Sequence, residues 1–123
     1  MFDSKRLKEG PGSTLHYLPE LDPGQIAETL VAFANTDGGT LIVGVDEEGS
    51  VTGQVYDDSV EKALREAEEH CNPPVVVGNW EQVDISNKSI VALRIPRSIE
   101  LHALIDGRVL VRRGIENKPL GGH

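Results

Sequence analysis

The chain has 123 residues, of which 38% are hydrophobic and 26% are charged, and its formal net charge is −8 with an isoelectric point of about 4.9. This length predicts one domain over residues 1–123. The acidity argues against non-specific electrostatic binding of nucleic acid, which needs a basic face. No segment approaches the ~20 apolar residues of a membrane span, and the N-terminus lacks the apolar core of a signal peptide. The single cysteine, Cys71, excludes an internal disulfide and a thiolate-rich zinc site and indicates a reducing cytoplasm.

The first third of the chain predicts an irregular lead-in, a strand and a helix. Residues 1–14 are polar and glycine-rich, and residues 15–18 predict a short strand. A helix is predicted to begin at Asp22 and Pro23, because aspartate caps free amides and proline suits the first helical position. Apolar residues at helical spacing give this helix one buried face. They are Ile26, Leu30, Phe33 and Ala34.

A tight turn at residues 35–39 separates this helix from the next strand. Glycine tolerates the left-handed geometry of a helix stop, so Gly38 and Gly39 end the helix. The near-continuous apolar run at residues 40–45 predicts a central strand that is covered on both faces. Residues 46–49 predict a hairpin turn, and residues 50–52 a returning strand.

The remainder of the chain predicts a second helix and several strands. Asp57 or Asp58 caps a helix that runs through Cys71, and the prolines after Asn72 stop it. The strands that follow are predicted at residues 75–77 and 81–85 (one strand, interrupted or bulged), 89–95, 102–105 and 108–112, the last two joined by a turn at Asp106 and Gly107. The predicted fold class is α+β, with two main helices packed on a mixed, mostly antiparallel sheet of about six strands.

The turn itself is a candidate anion-binding site. Successive backbone amides in such a turn can point at a phosphate. The alternative is a compact helix-to-strand connection. The turn is not a P-loop, because no Lys-Ser/Thr pair follows the glycines and the helix precedes the strand. The residues concerned are Asn35, Thr36, Asp37, Gly38 and Gly39.

Asp46 follows the central strand and carries two interpretations. It can bind a metal ion or act with other carboxylates in phosphodiester hydrolysis. It can equally be a turn residue whose side chain caps its own backbone. The four histidines share no metal-ligand spacing, and Cys71 is interpreted as a small core residue at a helix end.

The C-terminal third is locally basic, which indicates either a modest phosphate-binding patch or a solvated edge strand protected by charge. Alternation along a strand places Arg112 and Arg113 on opposite faces, so at most one of them joins a given surface patch. The basic residues are Arg94, Arg97, Arg108, Arg112, Arg113 and Lys118. The predicted nucleic-acid contacts are Arg108, Arg112, Arg113 and Asn117.

Two stretches resemble a known family. The segment AFANTDGGTLIVGVDEEGSVTG, at residues 32–53, resembles the signature of the Schlafen AlbA-like domain, also described as a divergent AAA-type domain. The segment IDGRVLVRRGIENKPL, at residues 105–120, resembles the closing hairpin of that family. The resemblance covers nearly the whole chain. It implies a prokaryotic DNA-binding domain, of the kind that stands at the N-terminus of larger transcriptional regulators or helicase-like proteins.

The resemblance also bears on catalysis. Certain Schlafen relatives are RNA endonucleases that use three acidic residues, of which this chain retains only Asp46. In the alignment of the motifs, Pro11 and His16 replace the other two acids. Hard cations such as Mg²⁺ and Mn²⁺ prefer oxygen ligands, so the resemblance implies a non-catalytic domain without a cofactor. Glu9 or Glu20 can substitute only if the loop folds differently.

The leading hypothesis is therefore a cytoplasmic, non-catalytic regulatory domain that binds DNA or RNA. A second hypothesis is a protein-interaction or homo-oligomerisation module, which rests on the acidic isoelectric point and on available edge strands. A third is a metal-dependent RNA endonuclease that uses Asp46, His16 and a nearby glutamate, with Mg²⁺ or Mn²⁺. A nucleotide-binding role is disfavoured because there is no phosphate-binding lysine motif.

Overall fold

The structure, a computed structural model, describes Leu7 and residues 10–120. Two helices and eight strands occur in the described residues. Their bounds are β1 Leu15–Leu18, α1 Pro23–Ala34, β2 Gly39–Val43, α2 Asp58–Glu68, β3 Cys71–Asn72, β4 Glu81–Ile85, β5 Lys88–Ile95, β6 Ala103–Leu104, β7 Leu110–Arg113 and β8 Glu116–Pro119. The predicted irregular lead-in at residues 1–14 lies partly outside the described residues. No helix in the described part of the chain is long and apolar enough to cross a membrane.

The main sheet has four strands in the order β1-β2-β5-β4. Strands β1 and β2 are parallel, and the other two pairs are antiparallel. Strand β3 pairs with β6, and β7 pairs with β8, each as a separate two-stranded sheet. The predicted α+β class, with two helices on a mixed sheet, is confirmed. The prediction of one sheet of about six strands is wrong, because the strands divide into sheets of four, two and two.

The C-terminal hairpin forms at a different place from the predicted one. Residues 102–105 and 108–112 were predicted to pair around Gly107, but β7 turns at Gly114 and pairs with β8. The turn at Gly107 forms, with the Leu104 amide bonded to the Arg108 carbonyl at 2.8 Å, but β6 pairs with β3 and not with the residues after the turn. The Asn35 side-chain amide bonds both backbone groups of His102 and the carbonyl of Leu110 on either side of this turn.

Three further boundaries differ from the sequence prediction. Helix α2 ends at Glu68, and Cys71 is buried at the start of β3 rather than in the helix. Residues 50–52 form no strand and contribute only an isolated bridge between Val45 and Val51. Residues 75–77 also form no strand.

The helix starts follow the predicted capping chemistry. The Asp22 carboxylate accepts a hydrogen bond from the Gln25 amide at 3.2 Å, and the Gln25 side chain donates back to it at 3.2 Å. The Asp57 carboxylate accepts a bond from the Ser59 amide at 3.0 Å and caps α2.

Strand β2 is central to the core, and all five of its residues are buried. Helices α1 and α2 pack on one face of the main sheet, where Phe33, Leu41 and Leu93 belong to the larger apolar cluster. Tyr17 and Ile42 belong to a smaller cluster on the other face. The prediction of a strand covered on both faces is therefore confirmed. Because β2 is buried, its two ends have fixed positions. The turn at residues 35–39 precedes its start, and Asp46 follows its end.

Candidate functional site

The turn before β2 is closed on itself rather than open to an anion. Gly38 has a positive φ of 74°, and a Cβ atom there would lie 2.8 Å from the Arg97 nitrogen and the Ile95 oxygen. Only glycine fits such a position. The amides of Asn35, Thr36 and Gly38 donate to carbonyls of α1 at 2.8–3.1 Å. These contacts favour the interpretation of the turn as a compact connection.

The side chains of the turn bind the C-terminal segment. Asn35 contacts the backbone of His102 and Leu110 at 2.8–2.9 Å. The Thr36 hydroxyl donates to the Ala32 carbonyl at 2.7 Å and accepts a bond from the Arg112 amide at 2.8 Å. The turn thus positions β7 beside the end of α1.

Arg112, one of the predicted nucleic-acid contacts, lies inside the molecule and is only 4% exposed. Its guanidinium donates five hydrogen bonds of 2.8–3.0 Å and lies 5.1 Å from the centre of the Phe33 ring. The acceptors belong to Gly12, Leu15, His16 and Asn117. Burial lowers the Arg112 pKa to about 10, so the side chain remains a cation at neutral pH. These contacts assign Arg112 a structural role and leave no free donor face at the surface.

His16 accepts a hydrogen bond from Arg112 through Nδ1 at 2.9 Å. Burial, and to a lesser extent the Arg112 charge, lower the His16 pKa to about 4, so the ring is neutral at pH 7. Because an arginine can only donate, Nδ1 holds a lone pair and the ring proton sits on Nε2. His16 therefore has no lone pair left for a metal ion or for a proton from a substrate.

The end of β2 that carries Asp46 borders a cleft of about 820 Å³. The cleft brings together the three positions that the family resemblance singled out, Pro11, His16 and Asp46. Its other polar lining residues include three glutamates, Glu47, Glu48 and Glu116. The alignment of the motifs is thus supported by proximity in space, although two of the three positions no longer carry an acid.

The donors of this cleft do not suit a hard divalent cation. One oxygen of Asp46 accepts bonds from the amides of Glu48 and Ser50 at 3.0 and 2.9 Å, as a turn residue does. His16 offers no lone pair, and proline has no ligand atom. Within residues 10–120 and Leu7, no group of three or more histidine, cysteine, aspartate or glutamate side chains is arranged to hold a metal. Glu20 is not among the lining residues, and Glu9 lies outside the described residues.

The other predicted contacts of the C-terminal third differ in their surroundings. Arg108 is bound to Glu28 at 3.0 Å and to Asp106 at 2.9 Å, and these bonds raise its pKa. Asn117 is half-buried, and its amide donates to Thr29 at 3.2 Å. Arg113 is exposed and pairs through its backbone with Glu116, and its side chain makes no ion pair or hydrogen bond with any described residue.

Two arginines that the site prediction left out lie beside the turn. Arg94 is the register partner of Thr40, and the backbone of Arg97 packs against Gly38. Both are exposed, and neither has an ion-pair partner in the part of the chain that the structure describes. Arg113 lies near the turn as well, because the backbone amide of its neighbour Arg112 donates a hydrogen bond to the Thr36 hydroxyl. The only sequence signal for this grouping was the basic bias of the C-terminal third, because it depends on how β5 pairs with β2. The grouping is one of backbone positions: Leu93 and Ile95 face the helices, so alternation along β5 directs the Arg94 side chain to the opposite face of the main sheet. We call Arg94, Arg97 and Arg113 the arginine cluster.

Comparison with known proteins now places the chain in a family. The model of the Schlafen, AlbA_2 family matches residues 4–121. The chain belongs to the Schlafen AlbA_2 family. No curated protein sequence matches it.

Two solved structures share the fold of this AlbA_2 domain. The crystal structure of the DIP2311 protein from Corynebacterium diphtheriae aligns with a TM-score of 0.67 and 19% identity, over 88% of this chain but only 22% of that one. The solution structure of the N-terminal domain of an ATP-dependent DNA helicase RecG-related protein from Nitrosomonas europaea aligns with a TM-score of 0.54 and 21% identity, over 76% of this chain and 69% of that one. At these identities the likeness concerns the fold alone.

Proposed function

We propose that this AlbA_2 domain is a non-catalytic nucleic-acid-binding domain that contacts phosphates through the arginine cluster. The observation that carries the proposal is that three exposed arginines, without ion-pair partners among the described residues, lie on segments whose backbone adjoins the turn before β2. In a chain with a net charge of −8, these unpaired cations are the groups best suited to contact phosphates, although the exposed Asp37 of the turn and Glu116 opposite Arg113 reduce the local positive charge. Family membership supports the same class of ligand.

Two arginines of the cluster are separated from Asp46 along β2. Arg94 and Arg97 lie beside the start of this strand, and Asp46 lies beyond its end, whereas Arg113 is the register partner of Glu116, which lines the acidic cleft. A five-residue strand spans roughly 17 Å, which exceeds the Debye length of about 8 Å at physiological salt. The carboxylate of Asp46 therefore repels phosphates locally without cancelling the attraction at Arg94 and Arg97.

The finer proposal is DNA binding within a longer regulatory protein, without metal-dependent cleavage. Its support is the name of the helicase-related neighbour and the state of the cleft. The Nδ1 lone pair of His16 accepts a hydrogen bond from Arg112, which leaves the ring no lone pair to ligate a metal ion. Incubation of the domain with single-stranded and duplex DNA and RNA in Mg²⁺ or Mn²⁺ should leave every substrate intact. Cleavage that is lost in Asp46→Ala would contradict the non-catalytic proposal.

The binding test reverses two charges of the arginine cluster. We expect wild-type domain to bind a fluorescent duplex in an anisotropy titration at low ionic strength, with an affinity that falls as salt rises. The double variant Arg94→Glu with Arg113→Glu should weaken binding at least tenfold and flatten the salt dependence, because it removes phosphate contacts. Both residues are exposed, so the fold should persist.

A matched control tests whether the loss of binding depends on where the charge is changed or only on the change in net charge. The double variant Lys62→Glu with Arg65→Glu changes the net charge equally, but both positions lie on the exposed side of α2. It should retain most of the affinity. Equal losses in the two double variants would contradict a local phosphate site, and an absence of salt-dependent binding by the wild-type domain would contradict the proposal as a whole. Parallel titrations with single-stranded DNA and with RNA decide the preferred nucleic acid.

A further inference from the structure

Four large aliphatic side chains are exposed on the segments that adjoin β3 and β6. The exposed fractions are 105% for Ile99, 74% for Val76, 64% for Ile105 and 59% for Leu101. We call these four residues the aliphatic surface. Single exposed aliphatic residues are common on proteins, but a group of this size on neighbouring segments is typical of an interaction site.

The segments that carry the aliphatic surface are held in place. The His102 ring bonds the Pro73 carbonyl at 2.8 Å and the Ser98 hydroxyl at 2.8 Å, and His102 itself is only 2% exposed. The Ile105 amide donates to the His70 carbonyl at 2.8 Å. Because side chains alternate along an extended segment, burial of His102 directs Leu101 to the opposite side, toward solvent. The exposure is therefore a property of ordered backbone.

Charges of both signs flank the most exposed residue of this surface. Arg97 lies two positions before Ile99, and Glu100 lies directly after it. Both side chains are exposed, and neither forms an ion pair with another residue of the described chain. A two-fold axis through such a surface would bring each arginine toward the glutamate of the other copy. A self-complementary surface of this kind fits a second copy better than it fits a strongly acidic or basic partner.

We infer that the aliphatic surface is a symmetric interface between two copies of this chain, with Ile99 near the two-fold axis and Arg97 and Glu100 paired across it. The interface uses Arg97, which the proposed function also assigns to phosphate contacts, whereas Arg94 and Arg113 take no part in it. A failure to dimerise therefore leaves the binding test at Arg94 and Arg113 standing. The net charge of −8 on each copy opposes association, but salt at physiological concentration screens repulsion beyond about 8 Å.

Sedimentation equilibrium without nucleic acid tests the interface. At about 0.15 M salt and from about 1 μM to about 1 mM protein, the wild-type chain should pass from monomer to dimer. Ile99→Glu should remain a monomer over this range, with an unchanged circular dichroism melting curve because the Ile99 side chain is fully exposed. Val55→Glu is the matched control, since Val55 is a 54% exposed aliphatic residue outside the aliphatic surface, and it should dimerise like wild type.

A charge swap tests the pairing itself. Arg97→Glu and Glu100→Arg should each shift the dimer to higher concentration, because each leaves like charges facing across the axis. The double variant should regain wild-type dimerisation. A wild-type chain that stays monomeric up to about 1 mM overturns the inference, as does a dimer that Ile99→Glu leaves intact. A dimer that is lost in Ile99→Glu while the swapped double variant fails to recover overturns the cross-axis pairing.

Discussion

The partly buried pair of His16 and Arg112 predicts a specific loss of stability in weak acid. In the unfolded chain His16 titrates near 6.5, whereas burial first, and the Arg112 charge second, hold its pKa at about 4 in the folded state. Between pH 6.5 and about pH 4, His16 binds a proton in the unfolded chain but stays neutral in the folded protein. Stability therefore falls as pH drops from about 6.5 to about 4, and this group adds no further slope below that. The full effect is about 3 kcal/mol, with a maximum slope of about 1.4 kcal/mol per pH unit.

The variant His16→Asn isolates this contribution. Its Oδ1 can take the place of Nδ1 and accept the Arg112 hydrogen bond, but the side chain does not titrate. Urea denaturation of wild type and variant at pH 7, 5.5 and 4.5 gives the free energy of unfolding of each. Carboxylates titrate in both proteins, so they cancel in the difference. We expect the wild type to lose about 2 kcal/mol more than the variant between pH 7 and pH 4.5. Parallel pH curves would refute the assignment of His16 as a buried neutral ring.

Two further predictions concern the turn before β2. Asn35→Asp keeps the size of the side chain but removes both amide donors, which leaves two carbonyls without partners and should lower the free energy of unfolding by about 2–3 kcal/mol in urea denaturation. A loss below the error of the measurement would show that these bonds do not hold β7. Gly38→Ala should destabilise by about 1–3 kcal/mol, since its Cβ would meet backbone atoms at 2.8 Å in addition to the positive φ. Gly107 also has a positive φ, of 96°, but a Cβ atom there would meet open space. Gly107→Ala should therefore lower the free energy of unfolding less than Gly38→Ala does, and a larger loss for Gly107→Ala would refute the steric argument.

The local parts of the fold were predictable from the sequence. The helix cap at Asp22, the helix stop at Gly38 and the buried strand after it each depend on residues within one turn or one strand of one another. Backbone conformation there is fixed by capping, by glycine geometry and by the spacing of apolar side chains. These are short-range effects, and a sequence pattern records them directly.

The C-terminal pairing was not predictable in the same way. A two-residue turn at Asp106 and Gly107 is a strong hairpin signal by its local chemistry. The turn forms there, but β6 pairs with β3, and Asn35, about seventy residues earlier in the chain, bonds the backbone of His102 and Leu110 on either side of the turn. A hydrogen-bond partner at that sequence separation leaves no local pattern.

The sequence by itself determined the family, the α+β class, the two capped helices and the incomplete acidic set represented by Pro11, His16 and Asp46. Only the tertiary structure decided which charges are available. It buries Arg112 among backbone carbonyls, neutralises Arg108 with carboxylates, and brings Arg94 and Arg97 to the turn beside Arg113. The physical reason is that the free energy of a charged side chain depends on its solvation and on its neighbours in space, which strand pairing and packing set and which the linear order of residues does not.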